Sequence, residues 1–125
     1  MLEEDEVSVR ANRTIYFPKS AHESGRIGEG QVFVYVDLDN GRIGIEPTSE
    51  DSPDSYRLIR STEEGGLHLS CTSALSHFPI DWKRVDRPEH IRADYDRDEG
   101  FVEINLEGMI EHYRQEQGEP SNDID

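Results

Sequence analysis

The sequence predicts a mainly β fold with short helices, formed by two tandem halves related by pseudo-symmetry. Three observations lead to this prediction. Apolar and polar residues alternate over short runs, which is the pattern of half-buried strands. Turn signals follow these runs, among them Asn40-Gly41 and the Asp-rich segment 96–100. The same order of elements then occurs twice in 125 residues, a length that favours one modest core.

The first half is predicted to contain strands at 7–9, 14–17, 31–37 and 42–46, with a helix over 18–24. Pro18 cannot donate to a sheet ladder but can open a helix, so the second strand is expected to end there. Asn40-Gly41 is a favoured pair where both central residues of a hairpin turn have positive φ. The last two strands of this half are therefore expected to form a hairpin.

The second half follows a polar linker over 48–55. It is predicted to contain strands at 56–60, 67–69, 91–94 and 101–106, a helix over 71–78 and an irregular insertion over 81–90. Leu75 and Phe78 are spaced by three within the helix, as one apolar face requires. Pro79 then ends it.

The hairpins of the two halves align at a constant distance in sequence. Asp37 corresponds to Asp96 and Gly41 to Gly100, each 59 positions later. The halves span 7–47 and 56–106, and each is too small to be stable alone. We therefore expect them to bury their apolar faces against each other, with the insertion over 81–90 belonging to the second half only.

A family resemblance covers the first half. The segments Val7 to Ala21, Ile27 to Val36 and Asn40 to Pro47 resemble the AbrB/SpoVT (MazE-like) swapped-hairpin DNA-binding domain. Phe17-Pro18-Lys19 stands where that family has an Ile-Pro-Lys step into a short helix. Over 56–106 the resemblance is weaker, since Leu69-Ser70-Cys71 lacks the proline and the lysine. It implies a swapped-hairpin barrel for which one chain supplies both halves.

The resemblance also implies binding of double-stranded DNA, as a transcriptional regulator or as an antitoxin. The candidate DNA-binding residues carried over by position are Arg10, Arg13, Lys19 and Arg26 in the first half, Arg57 and Arg60 in the second, and Lys83 and Arg84 in the insertion. Residues 7–26 hold four basic residues against one acidic residue, in a chain of net charge −15. Arginine suits phosphates and guanine edges. The other interpretation of these arginines is ion pairing with the many surface carboxylates.

The charge composition itself has two explanations. The chain has 28 Asp and Glu against 13 Lys and Arg, and only Lys19 and Lys83 are lysines. A carboxylate-rich, lysine-poor surface is typical of proteins from salt-loving archaea, where it keeps a small protein hydrated. The alternative is an acidic protein that mimics nucleic acid or binds a basic partner. The lysine deficit favours adaptation to high salt, and that environment weakens contacts to phosphate.

Several function classes are not predicted. Cys71 is the single cysteine, and we interpret it as a small core residue and not as a nucleophile. The histidines lack metal-ligand spacing, and the segment 94–105 departs from a calcium loop at its glycine and its twelfth position. We therefore predict no enzyme, no catalytic residue, no metal and no cofactor. Without an apolar run long enough for a membrane, and with an acidic N-terminus, we expect a cytoplasmic protein.

The tail over 107–125 is expected to begin as a helix, with Met109, Ile110 and Tyr113 at helical spacing, and to be disordered after Gln117. It carries six acidic residues and one basic residue. This tail supports the alternative function, an antitoxin or protein-interaction module that binds a basic partner, or a contact for homo-oligomers. A third possibility is a degenerate copy that keeps the fold and has lost DNA binding.

Overall fold

The computed structural model of the chain describes residues 6–23, 27–50, 53–60, 66–96 and 101–114. Arg26, the hairpin turn at 97–100 and the tail beyond Arg114 lie outside these ranges. The elements in chain order are β1 (Glu6–Val9), β2 (Thr14–Phe17), α1 (Lys19–Glu23), β3 (Gly30–Asp37), β4 (Arg42–Pro47), β5 (Tyr56–Arg60), β6 (Leu67–Ser70), α2 (Thr72–Leu75), a 3₁₀ turn (Trp82–Arg84), β7 (Glu89–Asp96), β8 (Phe101–Asn105) and α3 (Glu107–His112). The mainly β class with short helices is confirmed.

The eight described strands form a closed antiparallel barrel. Their order around it is β1-β2-β6-β5-β3-β4-β8-β7, and β7 pairs with β1 to close it. Each described strand therefore has a neighbour on both sides, which removes the exposed sheet edge that invites aggregation. Within the described part of the chain no helix combines the length and the apolar character needed to cross a membrane.

The core fills the inside of this barrel. Alternate residues of each strand point inward, and two cross-strand pairs show the arrangement. Ile15 faces Leu69 between β2 and β6, and Ile43 faces Ile104 between β4 and β8. All four side chains are fully buried. Burial of such a side chain stabilises the fold by about 1.5–3 kcal/mol.

The β3–β4 hairpin differs from the predicted turn. Asp37 pairs with Arg42, so the loop holds four residues and not two. Gly41 has φ +64°, whereas Asn40 does not have positive φ, so the expectation for Asn40 is wrong. The reason is the Asp37 carboxylate, which accepts hydrogen bonds from the Asn40 backbone N–H (3.3 Å) and side-chain amide (2.8 Å). These bonds lower the pKa of Asp37 and hold a longer loop with glycine at its left-handed position.

Helix α3 is packed against the barrel. Met109 is buried, as is Tyr113 just after the helix. The Tyr113 carbonyl accepts a hydrogen bond from the Asp81 backbone N–H at 2.7 Å. The Tyr113 hydroxyl donates to the Glu89 carboxylate, which raises the pKa of Tyr113. The start of the tail is thereby joined to the segment before β7 and to the first residue of that strand.

Candidate nucleic-acid interface

The loop between β1 and β2 holds two of the predicted DNA-binding arginines, Arg10 and Arg13. Arg13 has φ +61°, a left-handed conformation that non-glycine residues seldom adopt. Backbone hydrogen bonds on both sides hold it there. Its N–H donates to the Arg10 carbonyl (2.8 Å), and its carbonyl accepts from the Cys71 N–H (3.2 Å). The loop therefore presents Arg13 in a fixed orientation, and backbone strain of this kind often lies at functional sites.

Arg13 also connects this loop to the insertion of the second half. Its guanidinium donates to Ser76 Oγ at 3.1 Å and lies 5.8 Å from the centre of the Trp82 ring. Trp82 packs on the core as the first residue of the 3₁₀ turn, and the following Lys83 and Arg84 are exposed. Four predicted residues, Arg10, Arg13, Lys83 and Arg84, thus lie on two segments that meet at one end of the β1–β2 pair.

A row of residues on the outer side of the barrel, with Ser8 buried and the others partly or fully exposed, crosses five strands beside this loop. The strand registers place His90, Ser8, Tyr16, His68 and Ile59 opposite one another in turn. At about 4.8 Å per strand the row extends about 19 Å. The Tyr16 and His68 rings are 5.7 Å apart, and the guanidinium of Arg10 lies 3.8 Å from the centre of the Tyr16 ring.

The two outer faces of the barrel differ in charge. We call the first the basic face; its solvent-accessible positions on β7, β1, β2, β6 and β5 are Glu6, Tyr16, Arg57, Ile59, His68, Ser70, His90 and Arg92, while Ser8 and Thr14 point the same way but are buried. We call the second the acidic face; its outward positions on β3, β4, β8 and the end of β7 are Gln31, Phe33, Tyr35, Asp37, Arg42, Gly44, Glu46, Asp94, Phe101, Glu103 and Asn105. The basic face has one carboxylate and two arginines, with Arg10 beside them. The acidic face has four carboxylates and one arginine, so a polyanion is favoured on the first.

Three further predicted residues lie away from the Arg13 loop. Lys19 is exposed at the start of α1, with its Nζ 3.7 Å from a carboxylate oxygen of Glu23. Arg60 faces Leu67 at the end of β5, while Leu67 also faces Phe17 at the end of β2. Lys19 and Arg60 therefore belong to the opposite end of the β2–β6 pair.

Arg57 lies between these two groups, outward on β5. Its guanidinium is 2.9 Å from the side-chain amide of Gln31 on β3. The predicted residues thus form two groups joined by the basic face and not one compact cluster. Along β2 the backbone separation of the two ends is about 10 Å, given a rise of about 3.4 Å per residue.

Sequence reasoning missed two outward residues of the basic face, His90 and Arg92. Arg92 lies in the strand predicted over 91–94 but was not assigned to the site, whereas His90 fell in the segment 81–90, which was expected to be irregular; β7 already begins at Glu89 and pairs with β1 from there. The signal was present in the alternation of Glu89 to Ala93, in which Ile91 and Ala93 face inward. The adjacent Arg87 and Pro88 concealed it, because proline interrupts strands.

Cys71 agrees with the interpretation as a core residue. It is fully buried, and this burial raises the pKa of its thiol to about 12. The thiol is therefore protonated at neutral pH and is a poor nucleophile. Among the residues that the structure describes, no group of three or more His, Cys, Asp or Glu side chains is placed to hold a metal ion.

Compared with protein-family models, with curated proteins and with solved structures, the chain matches none of them. The resemblance to the AbrB/SpoVT domain therefore rests on the sequence segments quoted above.

Proposed function

We propose that this chain is a DNA-binding transcriptional regulator of AbrB type, adapted to high salt. The observation that carries the proposal is the basic face with groups of cations at both its ends, in a chain with net charge −15. Sequence-independent attraction to phosphate needs such a face, and arginine adds bidentate hydrogen bonding. The residues assigned to DNA are Arg10, Arg13, Lys83 and Arg84 at one end, Lys19, Arg57 and Arg60 towards the other, and Arg26 by its position in the sequence.

The proposal includes a barrel made of two swapped-hairpin halves. Its support is that the strand pairings are unchanged when β1–β4 are exchanged for β5–β8: β1–β2 becomes β5–β6, and β1–β7 becomes β5–β3. The hairpin registers agree as well. Val36 faces Ile43 and Tyr95 faces Val102, each residue of the second pair 59 positions after the first (36 to 95, 43 to 102). Each hairpin lies between strands of the other half, as swapping requires.

Such an exchange has a consequence for the DNA site. It relates the β1–β2 loop with Arg13, at one end of the β2–β6 pair, to the end of β5 at Arg60 and the start of β6 at Leu67, at the other end. A two-fold arrangement of contacts matches a DNA site with approximate two-fold symmetry. We therefore expect a pseudo-palindromic operator whose two halves differ, because only the second half of the chain has the 81–90 insertion.

High salt changes which contacts are effective. Counterion release favours binding less as the bulk salt concentration rises, so phosphate contacts contribute less to affinity than they do in dilute salt. Arg10 and Arg13 are instead held in place, one over the Tyr16 ring and the other by Ser76 and Trp82. Side chains positioned in this way lose less conformational entropy on binding, which favours contacts to base edges.

The test is DNA binding at about 2 M KCl, with the region upstream of the chain's own gene as the labelled duplex. We expect specific binding by the wild type. We expect a loss of at least tenfold in affinity when Arg10→Ala is combined with Arg13→Gly, since each bidentate base contact contributes about 1–3 kcal/mol. Glycine is chosen at 13 because it accepts the positive φ.

The matched control is Arg42→Ala on the acidic face. A guanidinium nitrogen of Arg42 lies 3.4 Å from a carboxylate oxygen of Glu103. Its strand, β4, is four strands away from β2 around the barrel. This variant should bind like the wild type. Absence of specific binding at every salt concentration, or equal losses in the control and the double variant, would contradict the proposed function.

One observation favours the alternative, a protein-interaction module for a basic partner. A groove of about 460 Å³ lies between the β3–β4 hairpin and α3, with Leu38, Pro79 and Ile110 among its lining residues. Its charged lining residues are Asp39, Glu107, Glu111 and Arg114. An apolar floor with acidic sides suits an apolar side chain flanked by lysine or arginine. If Leu38→Asp abolishes binding to a protein encoded beside this chain and leaves DNA binding unchanged, the result would favour this alternative.

A further inference from the structure

We propose that the groove on the other side of α3 binds a small molecule carrying a phosphate monoester. The groove has a volume of about 540 Å³, within the range of small-molecule sites. It lies between the start of β7 and helix α3. Its lining residues are Arg87, Glu89, His90, Ile91, Arg92, Asn105, Gly108, Met109 and His112. This inference does not depend on DNA binding.

The groups that line this groove favour an anion with several oxygens. Arg87 and Arg92 supply two guanidinium groups, whose planar sets of N–H donors match phosphate. His90 and His112 also line the groove, and both residues are exposed. A neutral imidazole donates one N–H, so the lining of this groove includes four side chains that carry N–H donors, from β7, α3 and the segment before β7.

The one carboxylate in the groove is already engaged. The Glu89 oxygen that accepts from the Tyr113 hydroxyl also lies 3.9 Å from Arg87 Nε. Across the β1–β7 pair, Glu6 faces Arg92. A guanidinium has five N–H donors, so the contact with one Glu89 oxygen engages only part of the donor set of Arg87.

The contrast across α3 makes this groove selective. The groove towards the β3–β4 hairpin is lined by three carboxylates and one arginine, whereas the groove towards β7 is lined by two arginines, two histidines and one carboxylate. Gly108 contributes to both. The chain has a net charge of −15, so its composition alone would not predict a groove lined by more cationic than anionic side chains. Such a site selects an anionic ligand.

The direct test follows the ring C–H resonances of His90 and His112 by NMR while inorganic phosphate or glycerol 3-phosphate is added. Potassium chloride is exchanged for the phosphate salt so that ionic strength stays constant. We expect saturable shifts at both histidines with millimolar affinity, and tighter binding of the ester. Comparable, non-saturating shifts at His77, outside the groove, would indicate a general salt effect and overturn the proposal.

Two variants locate the binding. Arg87→Gln with Arg92→Gln should weaken phosphate binding at least tenfold, while Arg42→Gln on the acidic face should leave it unchanged. Equal affinity in the wild type and the arginine double variant would overturn the proposal, even if the chain proves to bind DNA. Folding of each variant is checked by its melting temperature.

Discussion

The guanidinium of Arg13 lies 5.8 Å from the centre of the Trp82 ring, although the two residues belong to segments that are far apart in sequence. The contact joins the β1–β2 loop of the first half to the insertion of the second. Cation–π contacts of this kind contribute about 0.5–1 kcal/mol at exposed sites. Its larger effect is on the positions of the basic residues, because it brings Lys83 and Arg84 to the same end of the barrel as Arg10.

This contact predicts a fluorescence signal. Trp82 is the single tryptophan of the chain, so the intrinsic emission reports on its surroundings. We expect Arg13→Gly to shift the emission maximum to longer wavelength, since water replaces the guanidinium over the ring. Arg42→Gly should leave the spectrum unchanged. An unaltered spectrum in Arg13→Gly, with the protein folded, would mean that the two side chains are not in contact in solution.

A second prediction concerns the close approach of β2 and β6. A Cβ at Gly66 would lie 2.1 Å from the Phe17 carbonyl oxygen and 3.2 Å from the Lys19 nitrogen, both backbone atoms. Backbone atoms cannot move away as a side chain can, so Gly66→Ala should lower the free energy of unfolding by more than about 3 kcal/mol. Urea unfolding measures this. In the matched control, Gly108→Ala, the new Cβ meets open space, and a gain of up to about 1 kcal/mol is expected.

A third prediction tests the packing on the acidic face. The ring of Phe101 lies over Gly44, where a Cβ would be 2.5 Å from its Cζ, and the ring centre is 6.5 Å from that of Tyr35. Because the ring can move, Gly44→Ala should lower the free energy of unfolding by only about 1–3 kcal/mol. When Phe101 is replaced by Leu, the same substitution at Gly44 should lower the free energy of unfolding by less. A double-mutant cycle with no coupling between positions 44 and 101 would contradict this packing.

The buried thiol of Cys71 predicts a pH dependence. Its pKa is raised to about 12 from an ordinary value near 9 by burial. Between these values the unfolded chain loses the proton and the folded chain keeps it, so stability falls as pH rises above 9. The slope is about 1.4 kcal/mol per pH unit.

The measurement compares urea unfolding of the wild type and Cys71→Ala between pH 8 and 10.5. The hydroxyls of Tyr35 and Tyr113 titrate in both proteins and cancel in the difference. The variant is expected to be less stable at pH 8, because it leaves a cavity, and to lose stability less steeply above pH 9. Parallel curves would show that the thiol is not buried in solution.

The strands and helices were largely predictable because their signals are local. The alternation in 31–37 and 42–46, the proline at 18 and the glycine at 41 act within a few residues, and β3, β4 and α1 lie where they indicate. The turn at Asn40 was mispredicted, since the hydrogen bonds that Asn40 donates to the Asp37 carboxylate hold a longer loop. The strand predicted over 91–94 begins two residues earlier, at Glu89, and this start was missed because its ladder partner is in β1, some 80 residues earlier along the chain (Val9 and Glu89).

The sequence by itself determined the fold class, the positions of most elements and which residues carry positive charge, because alternation, turn residues and composition are local properties. Only the tertiary structure decided how those charges are grouped. Pairing of β7 with β1, of β2 with β6 and of β6 with β5 put Arg57, Arg92 and His90 on one outer face. The Arg13–Trp82 contact added Lys83 and Arg84 at its end. The tertiary structure also placed α3 between grooves of opposite charge. Closure of the barrel sets these neighbours through contacts between distant segments, and no short window of sequence contains that information.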